Sequence, residues 1–402
     1  SITTLAVEKN TVMTVYNKFY FIETTKEFDN FEDGWVYALE QSLEEPTTVT
    51  LYTDWIAPDG TFYCENENGE EYGTEDGYLY INDDHILTID LNGYKIDRNL
   101  KEPTDDGVVF WLNDQDAKLT IKDSYFGGKI TGAYNTDDGG AFYVYNGSLF
   151  IEGGKITGNY AENGAGIYWY SDNNLCITGG KITGNIAEKN GGGIYHDGGG
   201  SFGGGTDNVY FGGDAQIYGN FGNDTETNNV YLETLKVINR TAGQTADIPD
   251  VLLTDTAKIG ITAEDISWPF SGPDSCFKWG NDKYFFTDSD EFYIKTTYNA
   301  AMGNNAVMLF IDYLANKPEP PEPIEAIMAV TIDDDASFEF DDFGKGWVYA
   351  MKQSISKPVT ITLYEDWVAE NGKFVCLDDK GNEYGSEGGY LYLNDDHVLT
   401  ID

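Results

Sequence analysis

One short motif returns at a fixed distance along this chain and limits what the chain can fold into. Copies of Gly-Gly-Lys-Ile-Thr-Gly begin at Gly127, Gly153 and Gly179, 26 residues apart, and the related Gly212-Gly-Asp-Ala-Gln-Ile-Tyr-Gly219 begins 33 residues later. Each copy follows a short segment in which apolar residues alternate with others, such as Leu119-Thr-Ile121. Short strands separated by glycine turns and repeated at a constant length are typical of a parallel β-solenoid, in which each repeat forms one turn.

Stacking such repeats would bring equivalent residues within about 4.8 Å of each other. The aliphatic residue of each copy is expected to point inward, in a column of Ile130, Ile156, Ile182 and Ile217. The asparagine after each copy is expected to form a hydrogen-bonded side-chain ladder of Asn159, Asn185 and Asn220. Because parallel crossover connections are almost always right-handed, the sequence predicts an all-β, right-handed parallel β-helix.

A second repeat has an offset of 312 residues. Residues Phe28–Asp90 match Phe340–Asp402 without a gap, and 38 of these 63 positions are identical. The chain is therefore expected to contain one full unit and the opening of another, as a segment of a longer tandem array. Lys317-Pro-Glu-Pro-Pro-Glu-Pro323 lies between them and is expected to be an extended spacer, because proline lacks the backbone donor.

The open ends of a solenoid need covers. Trp35, Leu39 and Leu43 are spaced as on one face of a helix, which predicts an amphipathic capping helix with Asp33 as its N-cap. The repeat motif fades after Asn229-Val-Tyr-Leu232, and a small β-rich cap is expected beyond it. The predicted division is a connector from a preceding unit (1–27), a β-helix with its N-terminal cap (28–262), a C-terminal cap (263–316), a linker (317–326) and the start of the next unit (327–402).

Charge excludes several classes of partner. The chain has 69 Asp+Glu against 24 Lys+Arg, a net charge of −45, so nucleic acids and anionic membranes would be repelled. No apolar run approaches the roughly 20 residues of a membrane span, and no membrane insertion is expected. The cysteines show no metal-binding spacing and are expected to be buried free thiols: Cys64, Cys176, Cys276 and Cys376.

Several segments resemble a known group of modules. Thr88-Ile-Asp-Leu-Asn-Gly-Tyr-Lys-Ile-Asp-Arg98 resembles the opening strand of right-handed parallel β-helix repeats in large surface proteins of Firmicutes and related gut anaerobes. Ile182-Thr-Gly-Asn-Ile-Ala-Glu-Lys-Asn-Gly-Gly-Gly-Ile-Tyr195 is similar to their repeat and to that of chlamydial polymorphic outer-membrane adhesins. The likeness covers about residues 34–313 and 346–402, and it implies an extracellular, cell-surface location.

Many parallel β-helices cut polysaccharides, so an enzyme has to be weighed. Hydrolases of this kind need clustered carboxylates, and lyases need a basic residue. Here the acidic pairs, such as Asp137-Asp138, are what chance would place in so acidic a chain, and the lysines of the repeats recur as a column at Lys129, Lys155 and Lys181. We therefore predict no catalytic residue, no metal ligand and no cofactor.

Two histidines call for separate interpretations. Asn82-Asp-Asp-His85 places a histidine beside two carboxylates, which could form a metal site or a base, but a turn between strands explains the same residues. His196 stands alone in its repeat. Calcium remains open on charge alone, although no Asp-x-Asp-x-Asp-Gly loop occurs.

Aromatic residues supply the candidate recognition site. Tyr143, Tyr168 and Tyr195 occupy one position in three successive repeats, each after an apolar residue expected to point inward. They should therefore face solvent, as a possible ligand-binding platform for sugars or a protein. The alternative is that these stacked rings only stabilise the solenoid wall.

The sequence thus predicts a non-enzymatic cell-surface stalk or adhesin. Its partners would be a surface glycan, a host or microbial protein, and neighbouring units of the same chain. A carbohydrate-active β-helix enzyme, whether a polysaccharide lyase or a glycoside hydrolase, is the alternative, and a passive surface layer without a ligand is a third possibility.

Overall fold

The computed structural model describes residues 11 to 401 outside a set of gaps. The gaps are 20–21, 44, 198–207, 224–225, 233–238, 241–247, 249–250, 264–280, 289–291, 300–303, 312–326, 333–335, 341, 355–356, 365–366, 370–371, 378–382 and 394–398. The predicted linker, much of the predicted C-terminal cap and Cys276 therefore lie outside the described residues. The chain divides into two compact units, Ser1–Asn316 and Lys317–Asp402.

Most strands of the first unit belong to three stacks, in which strands from successive repeats pair in parallel. The first stack contains Thr47–Leu51, Ile86–Asp90, the ends of Phe110–Lys122 and Phe142–Ile151, Leu175–Ile177, Val209–Phe211 and Asn239–Arg240. The second contains Trp55–Ile56, Lys95–Asp97, Lys129–Thr131, Lys155–Ile156, Lys181–Ile182, Gln216–Ile217 and Lys258–Ala263. The third contains Tyr78–Ile81, the starts of Phe110–Lys122 and Phe142–Ile151, Ile167–Trp169, Ile194–His196, Val230–Leu232 and the end of Lys258–Ala263. In every repeat the chain passes through the first, second and third stacks in that order.

Equivalent residues of successive repeats lie opposite one another. In the second stack the predicted aliphatic column is confirmed and is two residues longer, one at each end, comprising the buried Ile96, Ile130, Ile156, Ile182, Ile217 and Ile259. The prediction of an all-β chain is confirmed. Parallel pairing also continues beyond Leu232, where the motif fades, because Lys258–Ala263 still presents alternating apolar residues to the same core.

The predicted asparagine ladder is present and is longer than the sequence indicated. Asn159 Nδ2 donates to Asn185 Oδ1 at 3.0 Å, and Asn185 Nδ2 donates to Asn220 Oδ1 at 3.0 Å. Asn220 Nδ2 continues to Asn229 Oδ1 at 2.9 Å, and Asn229 Nδ2 ends on Asp288 Oδ1 at 2.5 Å. Each of the first three amides also donates to a backbone carbonyl of the preceding repeat, so the buried amides are satisfied on both sides.

The turn before each of these asparagines requires glycine. Gly158, Gly184 and Gly219 share a φ of +66°, a left-handed conformation that side chains with a Cβ disfavour. A Cβ at Gly158 would also lie only 3.0 Å from Thr131 Oγ1 of the preceding repeat. The recurring Gly-Asn pair therefore reflects a turn that these three repeats make in the same way.

The N-terminal helix α1, Phe31–Ser42, begins earlier than predicted. Asn30, not Asp33, is the N-cap: its Oδ1 accepts from Asp33 N at 2.8 Å, and its Nδ2 donates to Asp33 Oδ2 at 2.9 Å. Asn30 has the extended backbone of a capping residue, whereas Asp33 already lies in the first turn. Trp35 and Leu39 are buried as expected, but Leu43 follows the last helical residue and is 46% exposed.

Residues assigned to a connector pack with the first unit. Strand Met13–Phe19 pairs antiparallel with Ile22–Phe28 and with Thr47–Leu51. Met13 and Val15 belong to the same buried core as Trp35. Residues on both sides of the predicted boundary at residue 28 therefore belong to one sheet. This sheet supplies the apolar surface on which helix α1 packs.

Smaller elements complete the first unit. A short parallel set consists of Tyr160–Ala161, Ile186–Ala187 and Phe221–Gly222, with Glu226–Thr227 antiparallel to the last. Thr74–Glu75 pairs antiparallel with the third stack, Phe285–Thr287 pairs in parallel with Lys258–Ala263, and Phe292–Asn299 forms an antiparallel hairpin with Asn304–Ile311. Single 3₁₀ turns lie at Pro58–Gly60 and Asn281–Tyr284.

The second unit repeats local contacts of the first at the same 312-residue offset. Its strands are Met328–Ile332, Ala336–Phe340, Val359–Leu363, Ser386–Glu387, Tyr390–Leu391 and Leu399–Ile401, and its helix α2 is Phe343–Gln353. Trp347 Nε1 donates to Gly385 O at 2.6 Å, as Trp35 Nε1 does to Gly73 O at 2.7 Å. Neither α1 nor α2, the α-helices of the described residues, is long and apolar enough to cross a membrane.

Replacing Asn185 by alanine should lower the free energy of unfolding by about 2–4 kcal/mol, since buried donors and acceptors on both neighbouring repeats lose their partner. The measurement is urea denaturation followed by circular dichroism. The control Asn68→Ala, in an exposed turn, should change it by less than about 0.5 kcal/mol. Equal effects of the two substitutions would show that the ladder does not stabilise the fold.

Candidate functional site

The predicted tyrosines form one continuous column along the third stack. The rings of Tyr143 and Tyr168 are parallel within 1° with centroids 5.3 Å apart, and those of Tyr168 and Tyr195 within 5° at 5.3 Å. The column extends to Tyr231 at 5.2 Å, and Trp111 contacts Tyr143 edge-on at 4.8 Å. The repeat spacing predicted the three middle rings but not Tyr231 and Trp111, although Tyr231 follows Val230 just as Tyr195 follows Ile194.

These rings point away from the apolar core, as alternation predicted, but Tyr143 and Tyr195 are half-buried and Tyr168 is buried. Tyr168 is only 7% exposed, and burial raises the pKa of Tyr143 to about 12. The prediction of an open aromatic platform is therefore wrong for Tyr168, because the neighbouring rings cover both of its faces. What the middle of the column can offer a ligand is ring edges and hydroxyl groups.

Two carboxylates accompany the central ring. The Tyr168 hydroxyl donates to Asp197 Oδ2 at 2.6 Å, while Asn163 Nδ2 donates to Asp138 Oδ1 at 2.9 Å. Burial, more than the hydrogen bond to Asp197, raises the pKa of Tyr168, and burial also raises that of Asp138. Two acids and a phenol near one another could exchange protons, which makes this the acid–base group of the column. Asp197 carried no sequence signal, since it follows a strand in a single repeat.

Beside the column stands a second aromatic pair. Tyr145 and Tyr170 stack at 5.1 Å with an interplanar angle of 13°. Tyr145 is 43% exposed, so it offers solvent far more ring surface than Tyr168 does. The two rings stack because the parallel register places equivalent residues of successive repeats next to each other.

The segment Asn82-Asp-Asp-His85 makes a turn between two strands, as the structural interpretation predicted. It joins Tyr78–Ile81 to Ile86–Asp90, with Asp83 and Asp84 exposed. His85 is buried, and its Nδ1 lies 2.9 Å from the Ser42 hydroxyl, which donates to Leu39 O. The histidine thus ties the turn to helix α1. Its counterpart in the second unit, residues 394–397, lies outside the described residues.

One group of carboxylates in the described residues has the spacing of metal ligands. Oxygens of Asp84, Asp114 and Asp116 lie within 4.8 Å of one another, at the surface. Repulsion from Asp114 is the main reason that the pKa of Asp84 is raised. No sequence pattern predicted this group, because the turn after Ile81 and the irregularly paired middle of strand Phe110–Lys122 come together only through strand pairing. These are the described residues that could hold a hard cation.

The remaining predicted features are structural. His196 is buried in the third stack between its register partners Trp169 and Leu232. Cys64 and Cys176 are buried free thiols, and burial raises the pKa of each to about 12. Cys376 of the second unit is also free and buried. The prediction of buried free thiols is thus confirmed for these three cysteines.

Replacing Tyr168 by alanine should lower the free energy of unfolding by about 3–5 kcal/mol, because a packed aromatic ring leaves a cavity between two others. The matched control is Tyr145→Ala, which removes a more exposed ring with one stacked neighbour and should cost about 1 kcal/mol or less. Thermal and urea denaturation of both variants make the comparison. Equal losses would mean that the stack is not a structural wall.

The stability of the protein should depend on the protonation of His85. Burial lowers the pKa of His85 in the folded state, so the unfolded chain, with a pKa of about 6.5, takes up the proton first as pH falls. The free energy of unfolding therefore decreases below about pH 6.5. Urea denaturation midpoints should be measured for the wild type and His85→Asn from pH 8 to pH 5, and the difference in midpoint between them should shrink as the pH falls. A difference that stays constant would show that the pKa of His85 is not lowered in the folded state.

Comparison with known proteins identified no similar protein. No protein-family model matches the chain, and neither a curated protein nor a solved structure matches it. Function is therefore inferred from the residues of the chain itself.

Proposed function

We propose that the first unit is a right-handed parallel β-helix and that it serves as a non-enzymatic stalk or adhesin module at the cell surface. The cyclic passage of the chain through three parallel stacks supports the helical coil, and the general preference of parallel crossovers supports its hand. The contacts repeated at the 312-residue offset support a tandem array.

The observation that carries the stalk is the continuity of its internal ladders. Hydrogen bonds between side-chain amides connect Asn159 to Asp288, and the aliphatic column runs beside them through six repeats. Such ladders resist bending and local opening, because each repeat hydrogen-bonds to the next throughout. Repetition of a rigid unit is a way to hold a binding surface at a distance from its anchor.

Charge suits this role. A net charge of −45 keeps neighbouring copies apart and soluble in a crowded layer. The partners that we propose are surface glycans or host and microbial proteins, together with adjacent units of the same chain. Tyr143, Tyr168 and Tyr195 remain a predicted ligand site, which a partner would contact through ring edges and hydroxyl groups.

One observation favours the alternative of a carbohydrate-active enzyme. Asp197 accepts from the Tyr168 hydroxyl, and burial first and then nearby carboxylates, Asp197 among them, raise the pKa of Asp138, as expected of a general acid. Both carboxylates are, however, occupied within the wall, Asp197 by Tyr168 and Asp138 by Asn163. A passive surface layer is the third possibility and would bind no ligand.

The purified chain should release no reducing or unsaturated ends from pectin, alginate, xylan or mucin glycans, with or without calcium. If it does, turnover that disappears in Asp138→Asn or Asp197→Asn would establish the enzyme instead. Surface exposure is tested separately, by labelling intact source cells with an antibody against the chain and removing the label with protease. Label seen only after lysis would contradict a surface role.

A further inference from the structure

A column of lysines runs along the outer side of the second stack. Strand register places Lys129 opposite Lys155 and Lys155 opposite Lys181. Lys95 precedes them, and Gln216 and Lys258 follow. With strands spaced by about 4.8 Å, five ammonium groups thus line a strip roughly 24 Å long. Five of the 24 basic residues of the chain stand in this one line. We call Lys129, Lys155 and Lys181 the lysine column.

The three lysines of the lysine column have no carboxylate within ion-pair distance among the described residues, although the chain has 69 acidic residues. By contrast, Lys95 at its foot pairs with Asp97 at 3.2 Å. Burial and then repulsion from Lys181 and Lys129 lower the pKa of Lys155, and no carboxylate opposes them. The column therefore concentrates uncompensated positive charge.

Fold stability does not account for these charges. Like charges directly opposite one another on paired strands are destabilising. Gln216 occupies the same position one repeat later, which shows that a neutral side chain of similar shape fits there. Three stacked lysines are thus a cost to the isolated protein, and an anion bound from outside would offset it.

We propose that the lysine column binds a linear polysaccharide that bears carboxylate or sulfate groups and lies along the stack. Two residues after each lysine, and therefore on the same side of the strand, stand the hydroxyls of Thr131, Thr157 and Thr183. Ammonium groups for the anions and hydroxyls for the sugar thus run in parallel rows.

The far end of the strip adds an aromatic ring. Lys181 lies 4.4 Å and Lys258 lies 4.6 Å from the ring centroid of Tyr218, which stands two residues after Gln216. A polysaccharide suits the strip better than a nucleic acid does. Duplex DNA carries one negative charge per about 1.7 Å, whereas a uronate chain carries only one per sugar. The net charge of −45 would therefore repel DNA more strongly than a uronate chain.

Binding by the full chain to polygalacturonate and to chondroitin sulfate tests the proposal, with fully methyl-esterified pectin as the uncharged counterpart of the first. The wild type should bind at least one of the anionic polymers at low salt and should not bind the ester. Lys129→Gln/Lys155→Gln/Lys181→Gln should weaken binding on the order of tenfold or more. It should also lower the slope of log affinity against log salt by about 2–3.

The control variant Lys18→Gln/Lys189→Gln/Lys283→Gln loses the same charge from exposed, ion-paired lysines and should bind within about twofold of the wild type. Melting curves confirm that the variants fold, and Lys155→Gln alone, expected to bind severalfold more weakly, replaces the triple variant if that one does not fold. The proposal is overturned if the wild type binds neither polymer, if both triple variants weaken binding equally, or if single-stranded DNA binds as tightly. The proposed stalk function is tested by other measurements, namely turnover of polysaccharides and surface labelling of cells. Failure of the lysine proposal would therefore not overturn the stalk.

Discussion

In-register parallel stacking is the constraint on which the rest of this structure depends. Once strands of successive repeats pair residue for residue, each side chain meets its own equivalent about 4.8 Å away. A buried asparagine then costs little, because Asn185 both donates to Asn220 and accepts from Asn159. Asp288 ends the series by accepting from the last amide, so the ladder does not leave an unpaired donor at its end.

The same periodicity places identical side chains next to one another, so that each interaction between them, favourable or unfavourable, recurs in every repeat. For Tyr143, Tyr168 and Tyr195 the repetition is favourable, since aromatic rings at this spacing stack, and the stack covers their faces. For lysines it is unfavourable, since equal charges repel. Stacking within the fold is thus a sufficient reason for the tyrosine column, whereas the fold supplies no such reason for the lysine column. This difference makes the lysines, rather than the tyrosines, the better evidence for a ligand.

The candidate site shows where inference from sequence ends. Alternation along a strand correctly placed Tyr168 on the side away from the core, but it carries no information on how far neighbours cover that side. Asp197 and the group of Asp84, Asp114 and Asp116 were not predicted, because none of them lies at a regularly repeated position. Asp84 and Asp197 follow the ends of strands, and Asp114 and Asp116 lie in the irregularly paired middle of Phe110–Lys122. Turns of unequal length meet in space without leaving a period in the sequence.

The repeat by itself determined the all-β class, the register, the aliphatic column and the asparagine ladder, because all four follow from a constant spacing of residues such as Ile130 and Asn159. Composition likewise indicated the buried free thiols. Only the tertiary structure decided that helix α1 begins after Asn30, that Met13–Phe19 pairs with Thr47–Leu51 of the first stack, and that Asp288 ends the asparagine ladder. The physical reason is that these three features depend on contacts between segments at irregular separations in the sequence. Burial and hydrogen-bond geometry select the partners there, and no sequence repeat predicts them.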